Sequence, residues 1–240
     1  DHGACLVIED VAAARGGLEA SGGLRERLWK VRARRVVTAT GAIERPVAFP
    51  GNDRPGVMLA SAGRDFLDLW GVAVGAKAVV ATCGDDGWRT AAALKAAGVE
   101  VTVADARAES EAGAVAKAGI AAGVAYRFGA FVRAVEGRKA VTGAVLGPVA
   151  GEAAGEAVPC DAVLVSGGWS PVVHLWSQAG GKLRWDAGAA MFRPDPARGP
   201  TGADGSVFVL AAGCADGEMR TGAAVASGHA AGARAAAEAG

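Results

Sequence analysis

The apolar positions of the first third of the chain fall in short runs. Residues 4–11 (ACLVIEDV) read as a strand and, after a loop at 15–24, residues 26–31 (ERLWKV) alternate polar and apolar like a second, which predicts a hairpin or meander. Residues 34–40 follow, where Val36, Val37 and Thr38 run into Ala39-Thr40-Gly41-Ala42 and then Ile43-Glu44-Arg45-Pro46. That pattern predicts a buried strand ending abruptly at a turn, where a glycine lets backbone approach a ligand with no Cβ in the way.

The period then changes. Residues 43–55 carry the Pro, Gly, Asn and Asp of a surface loop, and Met58, Ala62, Phe66, Leu69 and Trp70 recur at helical spacing, a stripe read as core. Residues 77–82, 84–97 and 99–104 read as strand, turn with helix, and strand: a βαβ unit. An Ala-rich helix at 109–122 precedes strands at 125–135 and 140–149, joined by the turn Glu136-Gly137-Arg138-Lys139. Residues 151–159 read as a low-complexity loop and 160–171 as a second buried strand stopping at Gly167-Gly168. A short helix at 171–178, a short strand within 180–186 and a loop at 193–205 lead to a strand at 206–213 and an Ala/Gly-rich helix at 221–239. The class is α/β, with a first domain formed by 1–71 and 157–240 and a nested domain at 72–156.

Composition narrows the function classes. Lys+Arg 25 against Asp+Glu 25 leaves no net charge to draw nucleic acid or an anionic membrane, so neither partner is expected. No apolar run is long enough to span a bilayer and the first residues lack a signal-peptide pattern, which makes the cytoplasm the default location. Cys5, Cys83, Cys160 and Cys214 are far apart and read as buried thiols. Together with His2, His174 and His229 they offer no metal-ligand spacing.

The turn of the βαβ unit reads Thr82-Cys83-Gly84-Asp85-Asp86-Gly87, a G-x-G-x-x-G pattern with its first glycine replaced. Asp105 lies where an acidic residue would take ribose hydroxyls. Asp85 and Asp86, however, fall where a pyrophosphate needs amide N–H groups and a positive dipole. Two unit charges about 4 Å apart cost on the order of 4 kcal/mol at an effective dielectric of 20. The aspartates therefore read as helix caps and first-turn dipole partners, and the unit as one that keeps its fold without a nicotinamide. No nucleophile–base pair or convergent carboxylate pair is apparent, and no catalytic residue is named.

Taken together, a meander, a strand ending in Ala-Thr-Gly-Ala, and a nested βαβ-plus-hairpin unit resemble two-dinucleotide flavoproteins of the glutathione-reductase type, an FAD/NAD(P)-binding Rossmann-like fold. That architecture opens with a βαβ phosphate loop, missing here, so the chain is expected to be a segment starting inside the first domain. A sharper likeness rests on residues 39–60, including Pro50-Gly51-Asn52-Asp53-Arg54-Pro55-Gly56, and on 166–186, including Ser166-Gly167-Gly168-Trp169-Ser170-Pro171, His174 and Trp185. Both stretches resemble the alpha subunit of heterotetrameric sarcosine oxidase. The resemblance implies a tightly held NAD that is not the hydride acceptor, with FAD the alternative and flavins mainly on the partner subunit. It also implies beta, gamma and delta partners, and oxidative demethylation of sarcosine to glycine with one-carbon transfer to tetrahydrofolate and hydrogen peroxide formation. The segment alone is expected to be inactive. The dinucleotide residues it implies are Thr40, Gly41 and Ala42, with Gly213, Asp216, Thr221 and Gly222 from the strand–Gly–Asp–helix element, although the spacer Cys214-Ala215 departs from a direct Gly-Asp step. The alternatives are an FAD-binding subunit of a related amine or opine dehydrogenase, and a non-catalytic Rossmann-type scaffold.

Overall fold

The computed structural model describes residues 4–151 and 154–240, so His2 lies outside the described residues. In chain order, β1 (Ala4–Asp10), α1 (Val11–Ala14), β2 (Glu26–Arg32), β3 (Val36–Thr38) and β4 (Ala42–Glu44) lead to β5 (Val57–Leu59), α2 (Ala60–Trp70), β6 (Lys77–Thr82), α3 (Asp85–Ala96), β7 (Glu100–Asp105), α4 (Ala114–Ala121) and β8 (Ala125–Phe128). They continue through β9 (Ala130–Glu136), β10 (Gly143–Pro148), β11 (Glu156–Pro159), β12 (Ala162–Ser166), β13 (Trp169–Pro171), α5 (His174–Gln178), β14 (Leu183–Asp186), β15 (Met191–Pro194), β16 (Val209–Ala211) and α6 (Thr221–Ala239). The chain divides into two compact units, Asp1–Ile43 with Ser170–Gly240, and Glu44–Trp169.

In the flanking unit, β3 and β16 run parallel, with Val209 opposite Val36 and Ala211 opposite Thr38, and α6 lies against both. Arg34 and Arg35, just before β3, hold the far end of that helix. Arg35 Nε donates to Glu238 at 3.0 Å and Arg34 Nη1 donates to the Ala239 carbonyl at 2.6 Å, placing cations where the helix dipole is negative. β1 and β2 form an antiparallel ribbon registered from Ala4↔Arg32 to Asp10↔Glu26, with Leu6, Ile8 and Leu28 exposed. β14 and β15 form a second hairpin, where Trp185 faces Phe192 with ring centroids 4.9 Å apart.

The nested unit is built on a five-stranded parallel sheet in the order β5-β12-β6-β7-β8. Alternate residues of its central strands serve two cores. Ala78, Val80, Ala162 and Leu164 pack with Trp88, Ala91 and Leu94 of α3, whereas Val79, Ala81, Val163 and Val165 pack with Val132, Val135, Ala144 and Leu146 of the antiparallel sheet β11-β10-β9. Burial on both faces is why β6 and β12 are continuous apolar runs and not alternating ones. Trp88 is fully buried beside Tyr126 and Phe128, and an aromatic side chain so placed contributes on the order of 1.5–3 kcal/mol. The buried Glu44 carboxylate accepts the Ser61 N–H at 2.8 Å, supplying the start of α2 with the anion that its own residues lack.

Four expectations are corrected. The nested unit is wider than 72–156, because β5 and β12 hydrogen-bond into its sheet and α2 packs on it. The stretch 151–159 contains β11, and the predicted strand at 125–135 is two strands, β8 and β9, in different sheets. Of the four thiols only Cys160 is buried; Cys5 and Cys214 are half-buried and Cys83 is exposed.

Candidate functional site

Ligands of open parallel sheets bind outside the carboxyl ends of the strands, and each unit has one such edge. In the flanking unit the register carries β3 and β16 out at the same end, so Thr40 and Gly41 leave one strand where Ala212 and Gly213 leave the other. The Ala212 N–H donates to the Thr38 carbonyl at 3.0 Å, the last rung before the chains part. Gly41 has φ +76°, and a Cβ built on it would meet nothing within 4 Å. A left-handed glycine with open space beside it fits a group that must approach backbone closely, as a dinucleotide does. Thr40 is exposed, but its hydroxyl donates to the Val172 carbonyl at 2.6 Å and so has no proton to spare. Ala42 is half-buried in β4.

Gly213 (φ +62°) opens a 3-10 turn, Gly213–Asp216, and its N–H donates to Ser227 Oγ at 3.0 Å. Asp216 is half-buried, and desolvation lifts its carboxyl above the ordinary value of 3.8. It lines a cleft of about 290 Å3 with Trp176, Leu210, Ser227 and Arg234. Arg193, unmarked in the sequence, fixes this turn: Nε donates to the Asp216 carbonyl at 2.9 Å, and the guanidinium pairs with Asp186 and Glu218, each at 3.4 Å. Thr221 and Gly222 are exposed at the start of α6, whose cap residue, Arg220, offers no side-chain bond.

The edge of the nested unit is arranged differently. Neither Asp85 nor Asp86 caps α3; the cap residue is Gly84, whose N–H donates to Thr82 Oγ1 at 3.1 Å. The buried Thr82 that replaces the first glycine therefore supplies the turn's acceptor, and a side chain at Gly87 would collide with it. Asp105, expected beside ribose hydroxyls, is fully buried. It accepts from Trp88 Nε1 at 2.7 Å and from Arg107 Nη2 at 2.8 Å and Nε at 3.1 Å, while Arg107 Nη1 donates to Asp85 at 3.0 Å. Two carboxylates thus do converge, on a guanidinium between them, which holds Arg107 well above the ordinary arginine value, chiefly through its bonds to Asp105. Asp86 pairs with Arg89 and accepts from Trp169 Nε1 at 2.6 Å. Sequence reasoning missed Arg107 and Arg193, and took Trp169 only as part of a family likeness, with no role at this edge. The only available signal was an arginine two residues beyond the acidic strand end, a spacing that also suits a phosphate site. Among the described residues no group of His, Cys, Asp and Glu side chains is placed to hold a metal ion, and no helix is long and apolar enough to cross a membrane.

A sheet with a nested α/β unit and two strand-end edges defines a nucleotide-binding oxidoreductase fold, and the chain belongs to the pyridine nucleotide-disulphide oxidoreductase family, whose model matches residues 10–221. Its fold is that of Lactococcus lactis thioredoxin reductase, with TM-score 0.65 and 20% identity over 89% of this chain and 67% of that one. Within the family it is similar to sarcosine oxidase subunit alpha: 42% identical over 186 residues to that of Corynebacterium sp. (strain P-1), covering 75% of this chain, and 40% identical over 174 residues to that of Rhizobium meliloti (strain 1021), covering 70%. The chain spans 19% and 16% of the lengths of these two relatives.

Proposed function

We propose that the chain is the dinucleotide-binding portion of a sarcosine oxidase alpha subunit, holding NAD, with FAD as the alternative, at the carboxyl ends of β3 and β16. The observation that carries this reading is Gly41, left-handed and facing open space beside two registered parallel strands, in a chain 42% identical to a protein of that name. Backbone at Thr40, Gly41 and Ala42 approaches the dinucleotide, and Gly213, Asp216, Thr221 and Gly222 flank it. A flavin, carried mainly by the partner subunit, would supply two-electron acceptance in the oxidative demethylation of sarcosine to glycine, with the one-carbon unit passing to tetrahydrofolate and dioxygen taking the electron pair to give hydrogen peroxide. The work of this chain is binding and orientation. Its partners are the beta, gamma and delta subunits, and its compartment is the cytoplasm.

The test is mass spectrometry of the denatured complex carrying Gly41→Leu, with Gly41→Ala as control. Both variants bear the same left-handed strain, on the order of 1–2 kcal/mol, but only leucine projects far into the open space. Release of NAD from the parent and the alanine variant, and of none from the leucine variant, is expected. Release of FAD instead selects the dehydrogenase-type alternative, and release of no dinucleotide the scaffold. Stoichiometric cofactor in a stable Gly41→Leu complex refutes the site.

A further inference from the structure

We infer that the nested unit's own strand-end crevice is closed by its side chains and takes no dinucleotide, although the family fold provides a place for one. A dinucleotide asks three things of such a unit: amides at the start of the helix, an acidic acceptor for ribose hydroxyls, and an open crevice where the strand order reverses. Each is already taken. At the helix start, Gly84 N–H is bonded to Thr82 Oγ1, and Asp85 and Asp86 occupy the first turn. The acidic acceptor, Asp105, is 0% exposed and receives Trp88 Nε1, Arg107 Nε and Arg107 Nη2. Three of the five Arg107 N–H groups already donate to carboxylates, and both oxygens of Asp105 are taken, so a 2′-hydroxyl finds no free acceptor there.

The crevice is bridged as well. Strand order reverses between β6 and β12, since β6 continues to β7 on one side and has β12 on the other. There the Cys83 N–H donates to the Ser166 carbonyl at 3.2 Å, and Trp169, three residues beyond β12, donates its indole N–H to Asp86 at 2.6 Å. An indole spanning from one strand end to the first turn of α3 lies across the path a pyrophosphate takes. Repulsion by Asp85 and Asp86 is the smaller obstacle, because Arg107 and Arg89 balance them; occupation of the site by protein groups is the larger one.

Hydrogen–deuterium exchange on the intact protein tests this. NAD, NADH and NADPH, each at millimolar concentration, are expected to leave exchange in peptides covering 82–90 and 104–108 unchanged. Binding at the β3/β16 edge registers separately in 36–43 and 209–224, so failure of that site is not confused with failure here. Saturable protection of 82–90 by any of the three nucleotides overturns the inference. In the single variant Trp169→Phe, loss of one charge-assisted hydrogen bond to Asp86 is expected to raise amide exchange at 84–90 about tenfold with no nucleotide present. Unchanged exchange there would show that the indole closes nothing.

Discussion

Replacing Arg107 by Met removes the cation between two carboxylates while keeping most of its aliphatic bulk. Asp105 is fully buried and Arg107 is 21% exposed at its side chain, so the pair is shielded on one side and only partly wetted on the other. Removing one partner of a buried pair costs about 3–5 kcal/mol. Asp105 would keep the Trp88 indole N–H at 2.7 Å and the backbone N–H of residue 107 at 3.0 Å, which places the cost at the lower end. With a urea m-value of about 2 kcal/mol/M, about 3 kcal/mol lowers the midpoint by roughly 1.5 M. Asp105→Asn retains an acceptor for the indole and leaves Arg107 its bond to Asp85, so its shift is expected to be about half as large. Trp88, buried against Tyr126 and Phe128, reports the nested unit's unfolding by fluorescence. A midpoint shift below about 0.3 M for Arg107→Met, or a larger shift for Asp105→Asn, would refute the claim that this half-shielded ion pair is a structural one.

Gly87→Ala is expected to destabilise the nested unit by more than about 1 kcal/mol, read by urea unfolding, because its Cβ collides with buried Thr82; Gly41→Ala, with open space around it, should show only backbone strain. Thiol titration of the native protein should leave Cys160 unreacted at pH 8, since burial pushes it up to about 11, and release it on unfolding; reaction at the rate of exposed Cys83 would contradict its burial. Asp216 has a raised carboxyl, so the folded state binds its proton more tightly than the unfolded one. Stability falls as pH rises from the ordinary 3.8 through the raised value. Asp216→Asn should therefore raise the Tm at pH 7, with the difference vanishing below pH 3.8; a difference that persists there would refute desolvation as the cause.

The strands and helices whose burial is decided by their own pattern were legible. β6 and α6 span 77–82 and 221–239, as the apolar run and the Ala/Gly-rich stretch predict. What the sequence hid was partnership across distance. Residues 162–166 carry a buried-strand pattern and Met58 falls in a helical stripe, but nothing local says that 162–166 pair with 57–59 on one side and with β6 on the other, which sets the limits of the nested unit. Asp105 looks identical in sequence whether it faces ribose or arginine. Only the fold brings Trp88, one helix turn into α3, and Arg107, just past β7, onto the same carboxylate.

Within the nested unit the incoming and outgoing segments are stitched together. Arg45 N–H donates to the Gly168 carbonyl at 2.8 Å and Gly167 N–H to the Arg45 carbonyl at 3.1 Å. For the flanking unit, whose halves are separated in sequence by about 120 residues, this lowers the entropic cost of assembly when the insertion is folded. Closing a floppy loop of that length costs about 3 kcal/mol more than closing one of a few residues, since the penalty grows as (3/2)RT ln n. Once the insertion has folded, its ends are already side by side, and the two halves of the flanking unit meet as though joined by a short turn. The insertion acts as a template whose prior folding makes the contact between β3 and β16 a nearly local one.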